Sequence, residues 1–339
     1  MAFRDVVGHQ RPLQTLQKEI KAGKVHHAYL FTGMEGIGKR LVALNMAKAL
    51  NCLTQEGDAC DHCHSCQRMD KGFHPDLIPI AAEGEAIKIQ QIRELQRVIA
   101  FKPYEARWRV IIVDGAERTT REAANAFLKT LEEPPPWTTI ILVASTVETL
   151  PPTVPSRCQR IRFNLLRQEE VGEVLARHLC EEEIHTLAPL AGGSPGRVLR
   201  LDREEISKAR REFLLALSPS IGQRLRVAQE LAHREGKIFL EILQSWLRDL
   251  IVYREIGEEA SLLNYDLTEE LRKAAPRRET EGLLRDFWAL LQIQGGIEAH
   301  GNLQLSLETA LLGIGGLRSD EISGSEARQG CTGALFSGP

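Results

Sequence analysis

Short, uninterrupted apolar runs alternate with stretches of helical periodicity through the first half of the chain. From about Leu166 onward only the helical periodicity remains. Ala28–Thr32 (AYLFT), Leu77–Ile80, Arg109–Asp114 (RVIIVD), Thr139–Ser145 (TIILVAS) and Arg160–Phe163 are brief and largely apolar, as strands buried on both faces of a parallel sheet are. Between them, Leu41, Leu44, Ala47 and Leu50 recur at helical spacing. Ile92, Leu95 and Ile99 line one face of a helix predicted over 89–100. Another helix is predicted over 121–133 and is stopped by Pro134, Pro135 and Pro136. Strands alternating with helices predict an α/β domain, a parallel sheet with helices on both faces.

Beyond it the pattern predicts short helices over 169–179 and 184–191, an interruption at Gly192-Gly193-Ser194-Pro195-Gly196, and a helix starting near Arg197. From about Ser207 to Leu317 it is helical throughout, with breaks predicted near Ser218-Pro219, Ala275-Pro276 and Gly295-Gly296. Phe239, Leu243, Trp246, Leu247 and Leu250 form a stripe suited to a core. The tail from Arg318, rich in Gly and Ser, is expected to be disordered.

Composition narrows this little. A chain of 339 residues with 43% hydrophobic content has ample material for two or three cores. A net charge of −3 argues against a general nucleic-acid binder, so DNA contact would need a local basic face. No apolar segment follows Met1–Asp5, and no apolar run approaches the ~18 residues that cross a bilayer, so the chain reads as cytosolic.

The candidate chemistry begins where the first strand ends. Gly33-Met34-Glu35-Gly36-Ile37-Gly38-Lys39-Arg40 fits the phosphate-binding pattern G-x-x-x-x-G-K, with a strand before it and a helix after it. Gly33, Gly36 and Gly38 let backbone N–H groups curl around phosphate oxygens, and Lys39 adds charge. Arg40 stands where a Ser or Thr hydroxyl would hold Mg²⁺; it is cationic and ligates no metal. Asp114, at the end of a strand, suits the acid that holds the metal from the other side, but Gly115 follows it where a hydrolytic site would carry a second carboxylate. The loop is therefore expected to be built to hold a phosphate, with ATP or ADP weak or absent, and poorly built to cut one. Glu117, three positions beyond Asp114, need not aim at the same point.

Four of the seven cysteines, Cys52, Cys60, Cys63 and Cys66, fall within fifteen positions. In a cytosolic chain that pattern favours a metal over disulfides. Four thiolates so spaced can enclose one tetrahedral Zn²⁺ and leave no open position for chemistry. His62, His64 and His74 are possible substitutes for one thiol, and an iron–sulfur cluster is the alternative metal group.

Two further stretches carry a family resemblance. Ala123-Ala124-Asn125-Ala126-Phe127-Leu128-Lys129-Thr130-Leu131-Glu132-Glu133-Pro134-Pro135 precedes Ser156-Arg157-Cys158 by about twenty residues. With Val7-Gly8-His9-Gln10 and His26-His27-Ala28-Tyr29-Leu30-Phe31-Thr32-Gly33, they resemble the clamp-loader branch of the AAA+ family, up to about Leu317. The resemblance implies an AAA+ nucleotide-fold domain over 1–165 with a zinc-binding insert at 52–66, a helical lid over 166–207 and an all-helical oligomerisation collar over 208–317, in which Leu303 to Ile314 is one candidate packing helix. It implies that Arg157 acts in trans as an arginine finger on a neighbour's ATP, although a local salt bridge is the plain alternative. It gives Thr146, with Ser145 as rival, the role of a polar sensor, and Arg197 that of a second sensor. It also implies structural zinc and a bacterial, cytoplasmic heteropentamer with gamma/tau-type ATPases and a delta subunit, reaching the sliding clamp and primer–template DNA through the complex. Two rival readings are an active gamma/tau-type ATPase and a zinc-dependent DNA-binding protein with a vestigial NTPase fold.

Overall fold

A computed structural model describes residues 1–217, 220–231, 235–257, 260, 262–264, 267–298 and 302–313. The predicted break at 218–219 and the predicted tail lie outside the described residues. The chain divides into two compact units, Met1–Arg200 and a second from Leu201 on.

In the first unit the elements run α1 (Gln10–Lys21), β1 (Ala28–Thr32), α2 (Lys39–Leu50), α3 (His64–Asp70), β2 (Leu77–Ile80), α4 (Ile89–Ile99), β3 (Arg109–Asp114), α5 (Arg121–Glu132), β4 (Thr138–Ala144), β5 (Gln159–Arg162), α6 (Gln168–Ala176), α7 (Glu181–Ala191) and the single turn α8 (Pro195–Val198). The strands form one sheet of order β2-β3-β4-β1-β5, every neighbouring pair parallel. β1 and β4 are buried along their whole length, whereas the edge strand β5 buries one residue in four.

Alternation along each strand sorts the side chains into two cores. Tyr29, Phe31, Val110, Ile112, Ile141 and Val143 face one way, with Leu16 of α1 and Val42 and Met46 of α2. Leu30, Ile111, Val113, Ile140 and Leu142 face the other way, with Ile92 and Leu95 of α4 and Phe127 and Leu131 of α5. An apolar residue at every position is what a strand covered by helices on both sides requires. α5 is capped at its start by Thr120, whose hydroxyl accepts from the Ala123 N–H, and at its end by Glu133 before the proline run.

This sheet carries Thr32, Asp114 and Ala144 to one edge. Thr32 pairs with Ala144, and Asp114 pairs with Val143. Open α/β sheets bind ligands beyond the carboxyl ends of their strands, and all the loops that could hold phosphate leave from that edge.

The second unit holds α9 (Arg203–Ala216), α10 (Ile221–Glu230), α11 (Glu235–Ile256), α12 (Thr268–Ala274), α13 (Thr280–Glu298) and α14 (Leu303–Gly313). Phe239, Leu243, Trp246, Leu247 and Leu250 of α11 are buried, as the stripe predicts. A short turn over Ala275–Arg277 breaks the chain where Ala275-Pro276 predicts it. The break predicted at Gly295-Gly296 is not there: α13 runs through both glycines to Glu298. A glycine inside a helix costs only about 1 kcal/mol against alanine, which tertiary packing overrides.

Candidate functional site

The loop from Gly33 to Lys39 turns on three glycines with φ of 147° (Gly33), 81° (Gly36) and 101° (Gly38), conformations that disfavour other residues. α2 then starts at Lys39. The Lys39 side chain is buried and folds back on its own loop, its amine donating to the Met34 carbonyl at 2.7 Å and to that of Gly33. Burial lowers its pKa below the usual lysine value, while Glu117, Asp114 and Glu35 pull in the opposite direction.

Over this loop lies a cavity of ≈ 510 Å³ whose lining includes Gly36, Lys39, Arg40, Asp114, Glu117 and Ser145. Arg40 Nη1 lies 3.4 Å from Asp114 Oδ2. A guanidinium thus stands against the carboxylate that a Mg²⁺ ion would need. Gly115 has φ of 72°, so a side chain there would be strained, and no acid follows Asp114.

The cavity wall holds contacts that spacing in the sequence does not show. Glu117 reaches the cavity because Gly115 turns the chain back on itself, and its Oε1 accepts from both the Ser145 N–H (3.2 Å) and the Ser145 hydroxyl (2.6 Å). Ser145, not Thr146, is the one of the two that lines this cavity. Thr146 is exposed and pairs with the Thr149 hydroxyl at 3.3 Å, because side chains alternate in direction as the chain leaves β4. Arg200 binds Glu35 at 2.6 Å, and both line the cavity. The sequence offered Ser145 as the rival of Thr146 and Glu117 as a nearby acid, which does reach the cavity of Asp114; it gave no signal for Arg200.

The α8 turn presses directly on the loop. The Gly196 N–H donates to the Gly36 carbonyl at 3.0 Å, and the Ser194 hydroxyl to the Glu35 carbonyl. A Cβ on Gly36 would lie 2.5 Å from Ser194 Oγ and 2.6 Å from the Arg197 nitrogen. The Arg197 N–H donates to the Ser194 carbonyl at 3.1 Å beside the loop, and the cavity lining includes Gly196 and Arg200.

Arg157 sits apart from this cavity, in a short turn over Pro155–Arg157 that precedes β5. Its side chain is one-third exposed and pairs with Glu132 at the end of α5, while Nη1 donates to the Thr153 carbonyl at 3.0 Å. The two stretches that carry the family resemblance meet at this ion pair. Cys158, next to it, is half-buried, and burial pushes its thiol up to about 12, which favours the protonated form.

The sulfurs of Cys52, Cys60, Cys63 and Cys66 all lie within 4.8 Å of one another. Tetrahedral zinc with Zn–S of ~2.3 Å needs sulfurs about 3.8 Å apart, so the donor set fits. Cys52 and Cys66 are buried with Ala2 and Ala59, and Cys60 and Cys63 are half-buried. The Thr54 hydroxyl helps bring the Cys60 thiol down to about 6, which favours the thiolate a metal binds. His62 and His64 are exposed and stand outside this cluster. His74 is committed elsewhere: its Nδ1 accepts from the Asp76 N–H at 3.2 Å.

The fold and this edge of the sheet define a P-loop domain of the AAA+ class. Two family models match the chain, "DNA polymerase III, delta subunit" over residues 8–167 and "DNA polymerase III, delta subunit, C terminal" over residues 204–315. The DNA polymerase III subunit delta' of Bacillus subtilis is 27% identical over 321 residues, covering 89% of this chain and 94% of that protein. The DNA polymerase III subunit gamma of Buchnera aphidicola subsp. Acyrthosiphon pisum is 34% identical over 187 residues, 54% of this chain and 51% of that protein. Among solved structures, a DNA polymerase III gamma subunit-related protein of Thermotoga maritima is 20% identical, covers 90% of this chain and 98% of that chain, and has a TM-score of 0.46. The match spans about half the length of the Buchnera gamma subunit and about a quarter of the tau/gamma subunit of Haemophilus influenzae. The chain belongs to the clamp-loader branch of the AAA+ family, among the subunits of DNA polymerase III. Among the described residues no helix is long and apolar enough to cross a membrane.

Proposed function

We propose that this chain is the delta-prime-type subunit of a bacterial clamp loader. It does not hydrolyse ATP itself, and it lends Arg157 to the ATP site of an adjacent ATPase subunit. The observation that carries this reading is Arg40 lying against Asp114. The hydroxyl ligand is missing, a cation sits at the second metal ligand, and the position for a water-activating carboxylate is a left-handed glycine. The likeness to a delta' subunit along nearly its whole length supports the same assignment.

Arg157 is then the chain's catalytic contribution. Its planar, permanently charged guanidinium suits the spread of negative charge on a phosphoryl group in transfer. In the lone subunit Glu132 holds it at the surface. An exposed pair of this kind is worth ~0–1 kcal/mol, so a phosphate arriving on a neighbouring subunit can take the guanidinium from it. Cys52, Cys60, Cys63 and Cys66 would hold a structural Zn²⁺ that folds an insert with little core of its own. The lid is assigned to 166–207 and the collar to 208–317, where Trp288 and Leu305 leave more than 60% of their surface exposed and suit packing against gamma/tau and delta partners.

A second reading, an active gamma/tau-type ATPase, is favoured by one observation: gamma and tau/gamma subunits are 34–36% identical over 54% of this chain, against 27% to delta' over 89% of it. The two readings separate on the isolated chain with Mg²⁺ and ATP. Background turnover supports the delta-prime assignment, and turnover abolished by Lys39→Ala establishes the other.

A further inference from the structure

Lys48 lies on α2, the helix that begins in the phosphate loop, and its side chain is wholly buried. Its amine donates to both Asp70 oxygens at 2.8 Å, to the Met1 carbonyl at 2.6 Å and to Asp61 Oδ1. Burial would depress its pKa, but the two carboxylates outweigh burial and hold it above the ordinary lysine value.

Asp61 lies within the cysteine insert, and Asp70 lies just beyond it. Asp61 directly follows Cys60 and holds a left-handed backbone with φ of 65°, uncommon for a residue other than glycine. Asp70 ends α3, the short helix that carries Cys66. From the other side, Cys52 follows α2 by two residues. Asn51 between them is pinned to Trp108, donating to its carbonyl at 2.9 Å and accepting from its N–H at 2.8 Å. The segments that carry Cys52, Cys60 and Cys66 are thus tied to a single buried amine or to the helix end that bears it.

We propose that Lys48 is the positioning residue of the metal site. It holds the Cys60–Asp61 turn and the Cys66 helix in register with Cys52, and so fastens the metal insert to the far end of the phosphate-loop helix. The inference rests on the reading of the four cysteines as a zinc site. Groups that orient metal ligands from outside change metal affinity by about 10–100-fold when removed. An ordinary buried ion pair would affect folding without affecting how the metal is held.

The test uses the full chain loaded with Zn²⁺, alongside Lys48→Met. Three readouts apply: the rate of zinc transfer to a chromogenic chelator, the absorption bands of the Co²⁺-substituted protein, and the difference in thermal midpoint between metal-loaded and metal-free forms. The expected result is zinc release at least ~10-fold faster, altered cobalt bands and a smaller difference in midpoint. Unchanged release and cobalt bands, with both midpoints lowered equally, would overturn the proposal and leave Lys48 a purely structural lysine. If Lys48→Met does not fold, Asp70→Asn carries the same three readouts, since it leaves the amine bonded to Asp61 and Met1. A wild-type chain that takes up no zinc would overturn the metal reading together with this inference. Zinc held equally well by wild type and variant would overturn the inference alone.

Discussion

Arg40 Nη1 lies 3.4 Å from Asp114 Oδ2, a cation placed where a nucleotide-hydrolysing relative would need a metal. Both groups are reachable from solvent, with side-chain exposures of 69% for Arg40 and 33% for Asp114, so the pair contributes ~1 kcal/mol at most to stability. Its consequence is chemical. Restoring the hydroxyl with Arg40→Thr frees Asp114 but supplies no carboxylate at Gly115, whose backbone φ of 72° disfavours one. Phosphate release by the isolated Arg40→Thr variant, with Mg²⁺ and ATP, is expected to stay at background, and its thermal midpoint near that of wild type. Turnover appearing in this variant would mean that Glu117, which lines the same cavity, activates water.

Gly36 is a junction between the phosphate loop and the α8 turn. A methyl group there would stand 2.5 Å from Ser194 Oγ and 2.6 Å from the Arg197 nitrogen, on a backbone with φ of 81°. Gly36→Ala is therefore expected to cost about 2–3 kcal/mol, from steric conflict added to backbone strain of order 1–3 kcal/mol. Chemical denaturation of wild type and variant measures it, and Gly38→Ala is the control, strained by φ but with nothing within 4 Å of the added carbon.

The loop between α4 and β3 is organised by one fully buried carboxylate. Asp76 accepts the N–H groups of Tyr104, Glu105 and Ala106 and binds Arg109 at 3.2 Å, while Arg109 also caps the carbonyls of Val98, Phe101 and Lys102. Burial opposes the charge on Asp76, but these donors prevail and hold its pKa below the usual carboxylate value. A depressed folded-state pKa gives stability that is complete above the unfolded value of ~3.9 and is lost as pH falls through the lower folded value. Asp76→Asn leaves Arg109 buried without a counter-charge and is expected to cost roughly 3–5 kcal/mol near neutral pH. Unfolding followed from pH 7 down to below 4 should show a shallower acid-induced loss in the variant, because this contribution is already gone.

The sheet was legible because strands covered on both faces are apolar at every position. The pattern of β1, β2 and β3 therefore coincides with the elements, and that of β4 is displaced by one residue. α3 left no apolar period to read, because its buried positions are Ser65, Cys66 and Met69 in a helix of seven residues. The glycines of α13 misled because local preference of ~1 kcal/mol is weak beside packing. At the site, the glycine loop, Asp114 and the four cysteines are visible as spacing. The Arg40–Asp114 pair, the placement of Ser145 over Thr146, and the Glu35–Arg200 bridge depend on which way side chains leave their elements, and on residues far apart in the chain. Lys48 gave no signal at all, since a lysine on a helix normally faces water.

Arg157 is proposed to act only within the assembled complex, and its effect is read there. A clamp loader reconstituted from its ATPase subunits, delta and this chain should assemble equally well with Arg157→Ala, because the Glu132 pair it breaks is a surface pair. Hydrolysis at the one ATP site facing this subunit should then fall by about 10³-fold or more, lowering clamp-stimulated turnover of the whole complex while sites elsewhere keep theirs. An assembled complex that hydrolyses ATP at the wild-type rate would contradict the claim.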